Sequence, residues 1–181
     1  MTIGFVWLLL VMPKAEPLVA KWRAEHDWAA RFGIPAHVTV RSPFLPPEQW
    51  ADPGLRTLQR LLPVPMTLAR VVNRPGALVV VVEPDDQLRK LTDETTRAWP
   101  TLPPHKPDRP TFAYHVTVVR TEDPEVRRKA TKAIAPQLPL DVAGTELWLT
   151  ARSRDTLIHR VVARTRRAGA SCTGLADRHP G

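Results

Sequence analysis

A chain of 181 residues, 43% of them hydrophobic, is long enough to bury one real core, and a single domain is expected. Its one cysteine, Cys172, excludes an intramolecular disulfide. It also lies in a tail unsuited to a thiol nucleophile, which fits a reducing, cytoplasmic setting. The balance of 26 Lys+Arg against 18 Asp+Glu gives +8, which suits a polyanionic ligand without identifying one. From Arg164 onward four arginines stand against Asp177, so part of that charge belongs to the tail and the body is only moderately basic.

The apolar opening from Ile3 to Met12 has no basic residue before it and no small-x-small cleavage site after it, as a signal peptide requires. It is also too short to span a bilayer, and it reads as a buried first strand. Glu16 to Phe32 has helical spacing, with Val19, Trp22, Ala29 and Phe32 near one face and Gly33 as the stop. Ile34-Pro35-Ala36 leads into a strand ending near Arg41, broken by Pro43 and Pro46-Pro47. A second helix is expected from Glu48 to Leu62 on the stripe Leu55, Leu58, Leu61 and Leu62.

Val64 to Val72 and Ala77 to Val82 read as an antiparallel hairpin around Asn73-Arg74-Pro75-Gly76. Pro84-Asp85-Asp86 opens a third helix carrying Leu88, Leu91 and Thr95, which ends before Pro100. A proline-rich loop with His105, Lys106 and Arg109 then delivers a strand over Phe112 to Arg120. Asp123-Pro124 starts a fourth helix to about Ala135. Strands at Leu138–Val142, Glu146–Thr150 and Thr156–Arg164 follow, the last two linked at Ser153-Arg154-Asp155. Residues 165–181 read as a disordered basic tail, leaving 1–164 as one two-lobed domain.

Two of these strands carry the same tetrapeptide: His37-Val38-Thr39-Val40 and His115-Val116-Thr117-Val118. Both are β-branched, and alternation puts each histidine and its threonine on one face with the valines on the other. His-x-Thr alone arises by chance roughly 0.6 times in a chain of this composition, and adding both valines lowers that to less than about 0.01. A second copy in an equivalent setting is therefore informative. Each motif strand is followed by a helix and then a strand pair, an internal duplication of architecture. Two such halves can pack about a pseudo-twofold axis. The expected class is α+β: two pseudo-symmetric lobes of antiparallel sheet, helices outside, and an active-site cleft between them.

Two imidazoles and two hydroxyls facing one cleft suffice to cleave a phosphodiester. Histidine serves as base or acid near neutrality. In-line displacement takes a proton on one side of phosphorus and gives one on the other. Thr39 and Thr117 can donate to the non-bridging oxygens. Nothing in this kit calls for a cofactor, and no acidic residue near either motif has metal-ligand spacing. There is no Gly-x-Ser-x-Gly either. Arg41 and Arg120, at the strand ends, are candidates to hold phosphate, as are Lys106 and Arg109. Tyr114 and Phe44 are candidates to stack on a base. His26 and His159 read as structural.

The paired motifs resemble the two-histidine phosphoesterase superfamily, in the branch of 2′-5′ RNA ligases and RNA 2′,3′-cyclic phosphodiesterases. Ala36 to Phe44, with its Pro43-Phe44 after the first motif, and Glu83-Pro84 followed by Leu88 and Leu91, are similar to the family's segments. The resemblance covers residues 3 to 164. It departs where Tyr114 precedes the second motif, a position often held by proline, and in a compact connecting segment. It implies hydrolysis of 2′,3′-cyclic phosphate ends of RNA or nucleotides, or reversible 2′-5′ ligation, by a monomer without metal or membrane. His37 and His115 would be the acid–base pair. An RNA- or nucleotide-binding module of the same fold is the alternative from another class. A phosphodiesterase for small cyclic nucleotides or ADP-ribose cyclic phosphate is the alternative within catalysis.

Overall fold

The computed structural model describes residues 5–103, 113–153 and 156–165. His105, Lys106 and Arg109, the Arg154-Asp155 turn, Phe112 and the tail with Cys172 lie outside these residues. The apolar opening forms strand β1 (Phe5–Val11) as expected, and the first motif forms β2 (His37–Arg41). The hairpin is β3 (Val64–Arg74) and β4 (Ala77–Val82), turning at Gly76 with φ +73, where a side chain would be strained. The second motif is β5 (His115–Arg120). β6 (Leu140–Gly144), β7 (Glu146–Arg152) and β8 (Leu157–Arg164) complete the set.

Two helical segments differ from expectation. The first is two helices, α1 (Glu16–His26) and α2 (Trp28–Arg31), separated by Asp27, whose side chain caps α2 at Ala29 N. An extended Asp at an N-cap ends one helix and starts the next. The stretch from Glu48 to Leu62 is not an α-helix but two 3-10 segments, Pro47–Gln49 and Pro53–Leu61. Pro53 removes a helical donor and Asp52 caps Gly54 N, so the tighter turn takes over. Leu55 and Leu58 are buried all the same. Helices α3 (Asp86–Ala98) and α4 (Pro124–Ile134) fall where the sequence places them, α4 capped by Asp123.

All eight strands join one curled antiparallel sheet in the order β6-β3-β4-β5-β2-β1-β7-β8. The motif strands are neighbours at its centre, so the two expected lobes are four-stranded halves of one sheet. Read outward from this seam, β5, β4, β3, β6 mirror β2, β1, β7, β8. The seam is narrow, with Val38 opposite Val116. One sheet face carries the main core: Val38, Val40, Val116 and Val118 from the motifs, with Leu18 and Val19 of α1, Leu88 and Leu91 of α3, and Ala130 and Ile134 of α4. The other carries the histidines, with a smaller cluster of Leu9, Ala29 and Ile34 beneath Trp7, Trp28 and Trp148.

Candidate active site

The seam register assembles the four motif residues. With Val38 opposite Val116 in an antiparallel pair, His37 falls opposite Thr117 and Thr39 opposite His115, all on the face away from the core. Directly opposed side chains have Cβ atoms about 4.5–5.5 Å apart. The register thus sets each imidazole across the seam from the other motif's threonine position.

Both rings are held alike. His37 Nδ1 lies 2.7 Å from Pro35 O, and His115 Nδ1 2.9 Å from Ala113 O, each two residues upstream. A carbonyl only accepts, so at His37 Nδ1 carries the hydrogen and the neutral ring keeps its lone pair on Nε2, whereas His115 Nδ1 also faces the Arg74 guanidinium, which only donates. Burial pushes the His37 pKa down to about 4, helped by the nearby Arg23 and Arg120 charges against the opposing pull of Asp27. Burial also lowers His115, with Arg74 and Arg120 adding to it. Desolvation disfavours the imidazolium, and neighbouring cations do the same.

The arginines after the motifs part company. Both motif strands slip by one residue against their outer neighbours: Leu9 pairs with Thr39 but Leu8 with Arg41, and Val79 pairs with Thr117 but Leu78 with Val119. A bulge puts consecutive residues on one side. In β5 both Val118 and Val119 enter the core, and Arg120 returns to the histidine face. There its Nη2 lies 3.5 Å from Thr117 Oγ1. In β2 the bulge turns Arg41 toward the core opposite Leu8. Arg41 is 1% exposed and donates to Thr96 Oγ1 and to Pro103 O. As a phosphate ligand Arg41 is therefore corrected to a core residue.

The two aromatic candidates are corrected likewise. Phe44 is buried, edge-on to Trp99 with centroids 5.2 Å apart. Tyr114 is buried with its hydroxyl 2.6 Å from Thr92 Oγ1, and burial raises its pKa to about 12. Neither offers a ring face to a base.

The histidine face instead carries tryptophans scattered through the sequence. Trp7 of β1 and Trp148 of β7 flank Leu9 on the histidine face. Trp28 of α2 packs on Trp7 at 6.0 Å, and the guanidinium of Arg152 lies 4.2 Å from the Trp28 ring centre. His159 stacks on Trp148 at 4.7 Å. His26, by contrast, lies by Glu25 on α1. Arg74, which belongs to no motif, also borders the second histidine: its Nη1 lies 3.2 Å from His115 Nδ1 and its Nη2 donates to Ala113 O at 3.3 Å. Its place on the same face as His115 follows from pairing across β4, which no local pattern discloses.

Among the described residues no group of three His, Cys, Asp or Glu side chains is placed to hold a metal ion, and no helix is long and apolar enough to cross a membrane. The constellation is two His-x-Thr strands side by side, with their imidazoles and hydroxyls on one sheet face. A family model, the 2′-5′ RNA ligase superfamily, matches residues 11–156, and the chain belongs to that superfamily. Among solved structures it is similar to E. coli LigT complexed with 3′-AMP (18% identity, TM-score 0.52, covering 88% of this chain and 95% of that one). E. coli LigT complexed with ATP compares closely (17%, 0.50, 88% and 95%). A further neighbour described as a phosphoesterase gives 17%, 0.51, 87% and 94%. At such identity the likeness is one of fold. A search of curated proteins finds no significant sequence match.

Proposed function

We propose that this protein is a metal-independent phosphodiesterase that opens 2′,3′-cyclic phosphate ends of RNA or nucleotides. The observation that supports this reading is the seam register, Val38 opposite Val116, with both imidazoles tied through Nδ1 to a carbonyl two residues upstream. His37, held neutral by its strongly lowered pKa, takes the proton from the attacking water. His115 gives a proton to the departing ribose oxygen. Thr39, Thr117 and Arg120 donate to the non-bridging oxygens throughout. The exposed parts of the tryptophan group would receive a base, as aromatic rings do in single-strand recognition. Neighbours of the fold crystallised with 3′-AMP and ATP support a nucleotide ligand. The same displacement with a ribose 5′-hydroxyl in place of water, the 3′ oxygen leaving with the proton from His115, gives a 2′-5′ linkage.

The test of the roles is a nucleotide ester whose leaving group is nitrophenolate, which departs without a proton. His115→Ala should recover most of its lost turnover on this ester, whereas His37→Ala should not. Equal recovery by both variants, or by neither, contradicts the assignment.

A further inference from the structure

We infer that Asp27, outside both motifs, is the positioning residue of the phosphate site, setting Arg120 in place for its ligand. The inference rests on the phosphoesterase reading and concerns the same site.

Asp27 is 0% exposed. Its Oδ2 accepts from Arg23 Nε at 3.0 Å, and its Oδ1 accepts from Ala29 N at 3.2 Å and from Arg120 Nε at 3.1 Å. Burying a carboxylate is costly unless it is paired. Capping α2 does not demand the charge, since Asn or Ser caps as well. The charge answers two guanidiniums that serve the two motifs.

Arg23, 1% exposed, donates from Nη2 to Ile34 O at 2.8 Å, and its Nη1 lies 3.5 Å from Glu16 Oε2. Glu16 in turn accepts from Ala36 N, directly before His37. That arm holds the entry to the first motif. The other arm is Arg120, whose side chain is 45% exposed. An ion pair with one partner so open adds little to stability. What it supplies is orientation: with Nε bound to Asp27, the terminal nitrogens are left for a ligand, Nη2 beside Thr117 Oγ1. Trp28, one residue after Asp27, sits 5.8 Å from the same guanidinium and limits its swing.

The experiment uses the full chain and measures the affinity of 3′-AMP and of inorganic phosphate calorimetrically, beside turnover of a 2′,3′-cyclic nucleotide. Asp27→Asn and Arg120→Ala should each weaken phosphate binding about ten- to a hundredfold, the range of one charged hydrogen bond. The double variant should be no worse than Arg120→Ala alone. Additive losses would overturn the inference, because they would mean that Asp27 acts through the fold instead of through Arg120. Arg120→Lys, whose substitution is on an exposed side chain, covers the case in which Asp27→Asn does not fold. It keeps the charge but has one nitrogen where arginine gives Nε to Asp27 and its terminal nitrogens to phosphate, so it should bind phosphate clearly more weakly than wild type. Wild-type affinity in Arg120→Lys would overturn the inference as well. Should the wild type turn over no cyclic nucleotide, the phosphoesterase reading fails while the binding data still decide on Asp27.

Discussion

Strands β2 and β5 share His-Val-Thr-Val and the same bulge, yet the arginines that follow end on opposite faces. β2 runs His-Val-Thr-Val-Arg, so its arginine falls on the bulge and is buried against α3 and Pro103. β5 has one more valine, and Arg120 emerges beside Thr117. A single residue of spacing thus decides whether an arginine enters the core or reaches the histidine face. The pseudo-twofold governs the four motif side chains, and asymmetry starts with the next residue.

The comparison can be sharpened first at its symmetric part. Thr39→Val and Thr117→Val remove equivalent donors at nearly constant shape, and each should lower kcat about 10²- to 10³-fold. Steady-state kinetics with protein of wild-type thermal stability would check this, and a loss confined to one threonine would break the equivalence. The arginines should then diverge. Arg120→Ala should raise KM about ten- to a hundredfold with only a small loss of stability, since its side chain is half open and the buried Asp27 keeps Arg23 as a partner. Arg41→Met should leave KM near wild type but cost about 1–3 kcal/mol in urea unfolding, because Thr96 and the Pro103 carbonyl lose a buried donor.

Acidity offers a third comparison. Both histidines are lowered, so the free protein reaches its best mix of one charged and one neutral ring below pH 6.5. The optimum of kcat/KM should lie between about 4 and 6.5. That of kcat should be higher, since a bound phosphate favours the imidazolium. Stability follows with a definite sign: the unfolded chain takes up the His37 proton near 6.5 and the folded one only near 4. Unfolding free energy should therefore fall as pH drops through that window, and His37→Gln should flatten the slope. The smallest effect is expected at Tyr114→Phe, which loses the bond to Thr92 and about 1 kcal/mol of stability while nucleotide affinity stays as it was.

The parts of this site legible in the sequence are those encoded locally. The repeated tetrapeptide marks the two His-Thr pairs, alternation gives their face, and Asp123-Pro124 and Gly33 mark helix ends that the structure keeps. Arg41, Phe44 and Tyr114 were misplaced because their environments depend on partners far along the chain: a bulge against β1, Trp99 and Thr92. The tryptophan group was invisible for the same reason, as Trp7, Trp28 and Trp148 meet only once β1 pairs with β7 and α2 folds over them. Asp27 had a local signal, a capping residue inside an apparent helix. Its link to Arg120, 93 residues on, had none.

The most direct test is hydrolysis of a nucleoside 2′,3′-cyclic phosphate by wild type, His37→Ala and His115→Ala, with and without a chelator. The paired-histidine account predicts turnover that the chelator leaves intact and that each substitution lowers at least about a hundredfold. Turnover abolished by the chelator, or retained when one histidine is removed, would contradict it.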